Sequence, residues 1–572
     1  LPEIILILVA TAIYVGGAFA ASRDAWTWLA AAGLLLAALA LHQQQDVLES
    51  YAAPVASQPD AQSAPGAEAH APTVEALASG PILVDLFTQT IRWFVIGVGL
   101  LFVLLTARPA SQTLAPEFVG SLLLILAGLM VIALSNDLVL MFLGLELVSI
   151  PTYVVLCLGN NDRSNQESAT KYFFLSILSS GLLLYGFSFL YGVARSTNLL
   201  DIHEALGDAV PQAQGIVTFS RLGLLLVFAG LGFRLTAVPF HFYAPDVYQG
   251  TSHANAAILS VVPKIAGLVA LVRVAAAPMV GEGSYLEVAS KIGWQLSLVL
   301  AVLTMTVGNL LALWQNNLRR LLAYSSVAHA GYMLVGVAVA FAVGGGAQAG
   351  AAAHGFAGIG ATVFYLLTYS LATIGVFAAL AWLSGDLKSV NTVDELAGVA
   401  RKHPLVAAAV AVCMFSLTGL PGFAGFWGKL ILLNGALSVG SDGPMRAWFV
   451  GLAVLVAINA AISAGYYLRI VAAMYFREAL HTAPAEGGPG AGAALVICAL
   501  GVVGIFIFPT QLVESSQRAA QAAQVSIVQH ATELNARVDA PTAVVAATAA
   551  TATDVAEADR PTATQIESTS DK

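Results

Sequence analysis

The sequence predicts an all-α integral membrane protein of about fourteen transmembrane helices, with two inverted five-helix repeats and helices broken near Pro239 and Pro421. Three observations predict it. Of 572 residues, 58% are hydrophobic and only 10% charged, against roughly 45–50% and roughly 25% in soluble domains. Apolar stretches of membrane-crossing length recur along the chain. A Phe-x-Leu-Thr-x-x-Pro segment occurs twice, as Phe233 to Pro239 and 182 residues later as Phe415 to Pro421. The net charge of −9, with 24 Lys and Arg scattered singly, leaves no basic patch for nucleic acid. Cys157, Cys413 and Cys498 fall in separate apolar segments and form neither a disulfide framework nor a CxxC site, so they read as buried, inert thiols.

A hydrocarbon core of ~30 Å needs roughly 17–25 apolar residues per helix. Such stretches fall near 4–20, 26–41, 81–105, 118–134, 137–158, 168–194, 220–250, 253–275, 291–313, 321–342, 356–383, 404–436, 445–476 and 493–509. The first has no basic residue ahead of its core, and Arg23 follows it, so it reads as a span with its N-terminus outside. Cytoplasmic loops collect Lys and Arg. In this orientation the inner loops hold nine basic residues, Arg23, Arg108, Arg163, Arg319, Arg320, Lys388, Arg401, Lys402 and Arg477, and the outer loops hold only Arg195 and Arg446.

The chain divides accordingly. Residues 1–117 form three N-terminal helices with a polar insertion at 42–79, 118–275 a first repeat, 291–476 a second, 477–511 a last helix, and 512–572 an Ala/Thr-rich tail on the outer face. The insertion and the tail carry too little apolar patterning to fold alone and are expected to be disordered. Two further matches support the repeat: Asn136 and Leu138 with Asn316 and Leu318, and Ala169-Thr170 with Ala361-Thr362. Five spans per unit force the second copy upside down, which is the plan of transporters that carry ion sites on broken helices near the midplane. Pro239 and Pro421 remove a helix hydrogen bond in the middle of long apolar stretches; an ordinary proline kink is the alternative.

Ionisable groups at membrane depth are costly and mark candidate sites. Glu146 lies centrally in the fifth span, Lys264 equally deep in the eighth directly after Pro263, and Lys429 two turns beyond Pro421. Lys171 sits about one turn into its span, where snorkelling competes. Arg92, Arg221, Arg273, Lys291 and Arg469 lie near span ends and read as snorkelling residues. Lysine can exist in both protonation states and so carry a proton, whereas Arg234 is a fixed charge that biases its neighbours, including the pKa of a nearby lysine. His241, His253 and His329 interrupt apolar segments and suit a relay, or else helix–helix hydrogen bonding.

Four runs in order, Leu143 to Val154, Val238 to Gly250, Asn316 to Tyr332 and Gly419 to Lys429, resemble the antiporter-like subunits of respiratory complex I, the proton-pumping NADH:quinone oxidoreductase. The wording is most similar to the subunit N branch: Ala-Pro-Asp-Val-Tyr after the first break, Ala-Thr-Lys-Tyr-Phe-Phe at Lys171, and Lys rather than Glu at Lys429. The resemblance covers about residues 1–510.

It implies a multi-pass subunit of the bacterial plasma membrane that translocates protons through a Glu/Lys/His relay while redox chemistry proceeds elsewhere. Glu146 is similar to the family's fifth-helix glutamate, Lys264 to its eighth-helix lysine and Lys429 to its twelfth-helix lysine. Arg234 replaces the seventh-helix lysine. NADH, FMN, iron–sulfur clusters and quinone are expected in partner subunits, with no cofactor, metal or nucleotide in this chain. Antiporter-like neighbours, small membrane subunits and lipid are the expected partners. The alternative is a subunit of a multi-subunit cation/proton antiporter of the Mrp kind.

Overall fold

The computed structural model describes residues 1–522 apart from 20–21, 53–79, 108–113, 159–162, 208–213, 280–283, 345–351, 386–388, 441–443 and 479–484. The structure is built of helices. α1 (Pro2–Gly17), α2 (Arg23–Ala52) and α3 (Leu86–Thr106) precede a first group: α4 (Ala115–Leu134), α5 (Leu138–Cys157), α6 (Arg163–Ala194), α7 (Leu199–Gly207), α8 (Gln214–Arg234), α9 (Ala244–Gly250) and α10 (His253–Met279). A second group follows: α11 (Ser284–Leu313), α12 (Leu318–Gly344), α13 (Ala352–Leu383), α14 (Val399–Lys402), α15 (Pro404–Thr418), α16 (Ala424–Ser438) and α17 (Pro444–Phe476). α18 (Gly488–Ile507) and α19 (residues 509–522) close the described chain. Among the described residues 11 helices are long and apolar enough to cross a membrane, and α1 and α15 are shorter apolar helices. The protein is a multi-pass membrane protein.

Both expected breaks are present. α8 stops at Arg234, the chain passes Thr236 with φ 58°, and a 3-10 turn over Phe240–Tyr243 leads into α9. α15 stops at Gly419, whose φ of 85° is left-handed, and Leu420 N–H returns to the Phe415 carbonyl. That six-residue closure is the usual way a glycine ends a helix. The matched segments also share a bridge. Leu138 N–H donates to Thr197 O at 2.8 Å and Leu199 N–H to Asn136 O at 2.9 Å; Leu318 N–H donates to Asn391 O at 2.7 Å and Val393 N–H to Asn316 O at 3.1 Å. The repeated Asn136 and Asn316 thus each anchor the start of a helix, α5 or α12, to a returning strand-like segment.

Helices in lipid gain no hydrophobic drive from touching one another, so close packing relies on small residues. A Cβ at Gly308 would lie 2.6 Å from Ala328 N, and one at Gly331 2.4 Å from Met305 N, so these two glycines let the backbones of α11 and α12 touch.

Three expectations are corrected. α2 runs to Ala52, so the polar insertion begins as helix; 53–79 lie outside the described residues, as do Arg108, Lys388 and 523–572. The tail does not begin at 512: α19 is helical to 522 and buries Ser516, Ala519 and Ala520. Its small residues at helical spacing give little hydropathy signal but fit against Gly360 of α13, where a Cβ would lie 3.2 Å from Gln517 Cα. Cys157 is exposed, because it ends α5 on an outward side, while Cys413 and Cys498 are buried.

Arg92 and Arg273 do not snorkel. Arg92 is 2% exposed, and its Nε donates to Glu3 Oε1 at 2.6 Å. Arg273 Nη1 and Nη2 hold the two Asp85 carboxylate oxygens at 2.7 and 2.8 Å, and Nη2 also reaches Thr88 Oγ1 and Ala133 O, each at 2.7 Å. Each acid is remote in sequence, so local hydropathy gave no sign of it. Removing one partner of a buried pair strands the other charge, at a cost of ~3–5 kcal/mol. Asp85→Asn should therefore sharply lower the folded, assembled fraction of the chain and its thermal stability, and the double replacement Asp85→Leu/Arg273→Met should recover most of that loss. Equal loss in the single and double variants would contradict this account.

Candidate functional site

Two polar groups occupy the interior. The first lies where α5, α6 and α8 meet. Arg234, 4% exposed at the end of α8, donates from Nη1 to Ser149 Oγ at 2.6 Å and to Leu145 O at 3.4 Å. Its Nη2 reaches Glu146 Oε1 and Ser180 Oγ, each at 3.4 Å, and Ser180 Oγ donates to Glu146 Oε1 at 2.5 Å. The Glu146 side chain keeps 23% of its surface exposed, on the flank of the subunit. Arg234 packs against α10 at Gly267, where an added Cβ would lie 3.2 Å from Arg234 Cβ, yet its guanidinium points to the glutamate. Its hydrogen-bond partners are Glu146, Ser149, Ser180 and the Leu145 carbonyl, and no lysine is among them.

The second group runs through α10, α12, α13, α16 and α17. Lys264, wholly buried, donates to Ser326 Oγ at 2.5 Å. Tyr369 Oη donates to the same Ser326 Oγ at 2.9 Å and lies 3.2 Å from Ser260 O; Tyr248 Oη is 3.4 Å from Ser326. One turn along α12, His329 packs tilted against Tyr369 with ring centroids 4.8 Å apart. Its Nδ1 meets Tyr365 Oη at 2.7 Å and its Nε2 meets Tyr467 Oη at 2.9 Å, and Tyr467 continues to Ser325.

Lys429 closes the row. Its ammonium donates to Thr418 O at 2.8 Å and Leu417 O at 3.0 Å, the carbonyls freed where α15 breaks, and sits 4.9 Å from the Tyr332 ring centroid. Charge over an aromatic face is favourable, more so when desolvated. A cavity of about 10 Å³ opens between His329, Tyr365, Tyr369, Ser416 and Gly425, close to the ~10–15 Å³ one water requires. Among the described residues no carboxylate pairs with Lys264 or Lys429.

The other expected site residues fall outside this row. Lys171 is 38% exposed and binds Glu167 at 2.7 Å and Asp246 at 2.9 Å, where Arg320 also holds Asp246 at 2.6 Å. This is a surface cluster tying α6 and α9 to α12, and such pairs are worth little individually. His241 is half-buried in the turn after the first break, and His253 is buried at the start of α10. Among the described residues no hydrogen bond joins either to the row from Lys264 to Lys429. Sequence reasoning missed Ser326 and Tyr369, the hydroxyls gathered at Lys264, and Tyr365 and Tyr467, the hydroxyls that bond the two ring nitrogens of His329. A signal existed: Ser325, Ser326, His329 and Tyr332 share one helical face, as do Tyr365 and Tyr369.

The transmembrane family described as NADH:quinone oxidoreductase/Mrp antiporter matches residues 135–456, a span that contains Glu146, Arg234, Lys264, His329 and Lys429. NADH-quinone oxidoreductase subunit N 1 of Solibacter usitatus is 35% identical over 449 residues, covering 77% of this chain and 85% of that protein. Subunit N 2 of Symbiobacterium thermophilum is 34% identical over 91% of this chain and 96% of its own length. This chain belongs to the NADH-quinone oxidoreductase subunit N family. Among solved structures, a chain of respiratory complex I from Thermus thermophilus with bound aureothin aligns with TM-score 0.68 and 30% identity over 90% of this chain and 99% of that one. A chain of the Mrp complex from Dietzia shares the fold, with TM-score 0.69 at 20% identity over 92% of this chain and 98% of that one.

Ser326 is the hinge of the second group, since Lys264, Tyr369 and Tyr248 all meet its one hydroxyl. A hydrogen bond to a charged group is worth ~1.5–3 kcal/mol. Ser326→Ala should slow proton uptake by the reconstituted complex about tenfold at unchanged assembly, and Ser326→Thr should restore it. An undiminished rate in the alanine variant would remove Ser326 from the path.

Proposed function

We propose that this chain moves protons across the membrane along the row Lys264, Ser326, Tyr369, His329, Tyr365 and Lys429, driven by quinone reduction in other subunits of the assembly, with the Glu146–Arg234 pair as its electrostatic input. The observation that carries the reading is the enclosed row itself. Among the described residues its two terminal lysines have no carboxylate partner, and between them lie hydroxyls and an imidazole, which both donate and accept hydrogen bonds. Lys264, Ser326 and Tyr369 are joined by hydrogen bonds, as are His329 and Tyr365, and in this reading a water or a side-chain movement completes the steps from Tyr369 to His329 and from Tyr365 to Lys429. Glu146, partly exposed on the flank, is placed to feel a charge in a neighbouring subunit. Lys171, His241 and His253 have secondary roles at most in this reading.

Counting α1 and the two broken helices as crossings brings the 11 long apolar helices to fourteen. The paired bridges at Asn136 and Asn316 and the paired breaks support two inverted repeats, 118–275 and 291–476. In this reading an even number of crossings from an outside N-terminus brings the C-terminal end of α18, and α19 after it, to the outer face as well. The reading assigns NADH, FMN, iron–sulfur clusters and quinone to partner subunits, and antiporter-like and small membrane subunits to the flanks. The cation/proton antiporter alternative has the shared fold in its favour, but the relatives of 34–35% identity above are subunit N proteins.

Proton uptake per quinone reduced, measured in vesicles at matched assembly, tests the carriers. Lys264→Arg and Lys429→Arg keep the positive charge but cannot release a proton, since guanidinium stays protonated. Each should cut pumping by about tenfold or more. Normal pumping in both would sink the carrier assignment.

The pair at Glu146 is tested separately. Arg234→Lys should be tolerated, because an ammonium can supply the same charge to the glutamate. Arg234→Ala and Glu146→Gln should both lower coupled quinone reduction while leaving assembly intact. Wild-type coupled activity in Glu146→Gln would show that the glutamate only packs.

A further inference from the structure

A cleft of about 1250 Å³ runs from Val84, just ahead of α3, along that helix to Leu104, walled by α13, α18 and α19. It exceeds the ~300–1,000 Å³ of ordinary ligand pockets. It lies apart from the proton row and none of its lining residues belongs to that row. Its lining divides by height. From Trp93 to Leu104, and at Leu371 and Ile497 opposite, every lining residue is apolar or glycine. The polar lining residues, Asp85, Gln89, Thr90, Ser515 and Arg518, all sit at the end where α3 begins and α19 lies. The helix directions agree. A Cβ on Gly490, at the start of α18, would touch Leu104 O at the end of α3, so α18 runs antiparallel to α3 and delivers α19 to the polar end.

Most polar groups at that end are already engaged. Asp85 is neutralised by Arg273, Thr90 Oγ1 donates to Leu86 O, and Ser515 Oγ donates to Gln511 O. Gln89 is different. It is 4% exposed, it lines the cleft, and neither its amide nitrogen nor its amide oxygen has a hydrogen-bond partner among the described residues. Leaving a buried amide unmatched is costly, and native proteins avoid it. Arg518, exposed at the mouth, spends one contact of 3.3 Å on Glu514, and guanidinium has five N–H donors. Gly97, midway down the wall, has open space where a Cβ would stand.

An occupant must therefore offer a long apolar body, a hydrogen-bond acceptor at the depth of Gln89, and an anion at the level of Arg518. We propose that this cleft holds one anionic phospholipid of the surrounding bilayer, its acyl chains against the wall of α3, its glycerol ester carbonyl accepting from the Gln89 amide and its phosphate at Arg518. The apolar wall alone confers no preference over bulk lipid, since the tails gain nothing by exchanging one apolar neighbour for another. Retention depends on the two polar contacts. The lipid would join α19 to α3 and complete a seam that protein side chains leave open.

The test uses the assembled complex reconstituted in vesicles containing phosphatidylglycerol with a photoactivatable group near the acyl terminus. After illumination, cross-linked peptides are mapped by mass spectrometry and lipid retained through detergent washing is counted. The wild type should be labelled between Gly97 and Leu104 and at Leu371 or Ile497, and should retain the lipid. Gly97→Phe, which puts a ring into the cleft at a position where a Cβ meets nothing within 4 Å, should abolish cleft labelling at unchanged assembly. Gln89→Leu should reduce retention roughly tenfold, and Arg518→Ala should remove the preference for phosphatidylglycerol over phosphatidylcholine. Labelling that is equal in wild type and Gly97→Phe would mean bulk contact only and overturn the proposal, as would unchanged retention in Gln89→Leu. Recovery of a quinone, a partner subunit's helix or this chain's own tail cross-linked at these positions would overturn it too.

Discussion

At membrane depth a backbone carbonyl has no water to bond, so every interruption of a helix must be met by protein groups. The architecture depends on how its two interruptions are met. Where α15 stops, the Leu417 and Thr418 carbonyls are taken by the Lys429 ammonium. Where α8 stops, the Phe233 carbonyl accepts from Tyr243 Oη at 3.1 Å and the Gly230 carbonyl from Ser179 Oγ at 2.8 Å. The same constraint thus produces different chemistry in the two halves. One break is satisfied by neutral hydroxyls, which leaves Arg234 free to turn to Glu146. The other is satisfied by a lysine, which brings an ammonium group to the end of the interior row.

That row is unusual for what it lacks. Two buried ammonium groups normally find carboxylates, but here Lys264 has a serine hydroxyl and Lys429 has carbonyl dipoles and an aromatic face. An ion pair would hold each proton firmly. Dipoles and hydroxyls form no such pair, and tyrosine rings pack round His329 between the two lysines. Glu146 is kept apart from the row, on α5, with Arg234, a group that cannot give up a proton.

Away from the row, charge serves attachment. The Arg92–Glu3 pair ties α3 to α1, and Arg273–Asp85 ties the end of α10 to the start of α3. The three N-terminal helices are thereby bound to the first group by contacts that direction-free apolar packing does not supply in lipid. α19 adds a second attachment, laying small residues against α13 at the same end of α3.

The sequence by itself determined the class of the protein, its long helices, both breaks and the deep ionisable residues, because hydropathy, proline and the price of a charge in hydrocarbon are local properties. Glu146, Arg234, Lys264, Lys429 and His329 were all legible as single residues in that way. Tertiary structure alone decided their company. Serine and tyrosine hydroxyls are cheap to insert and common in membrane helices, so nothing in the local pattern distinguishes Ser326 or Tyr369 from neighbours that bond only their own backbone. Arg92 and Arg273 looked like end residues because the acids that claim them lie 89 and 188 residues away. Lys171 looked deeper than it is because its distance from a surface depends on where α9 and α12 lie. In each case the deciding term is a distance between helices, and that distance is set by packing, which hydropathy does not encode.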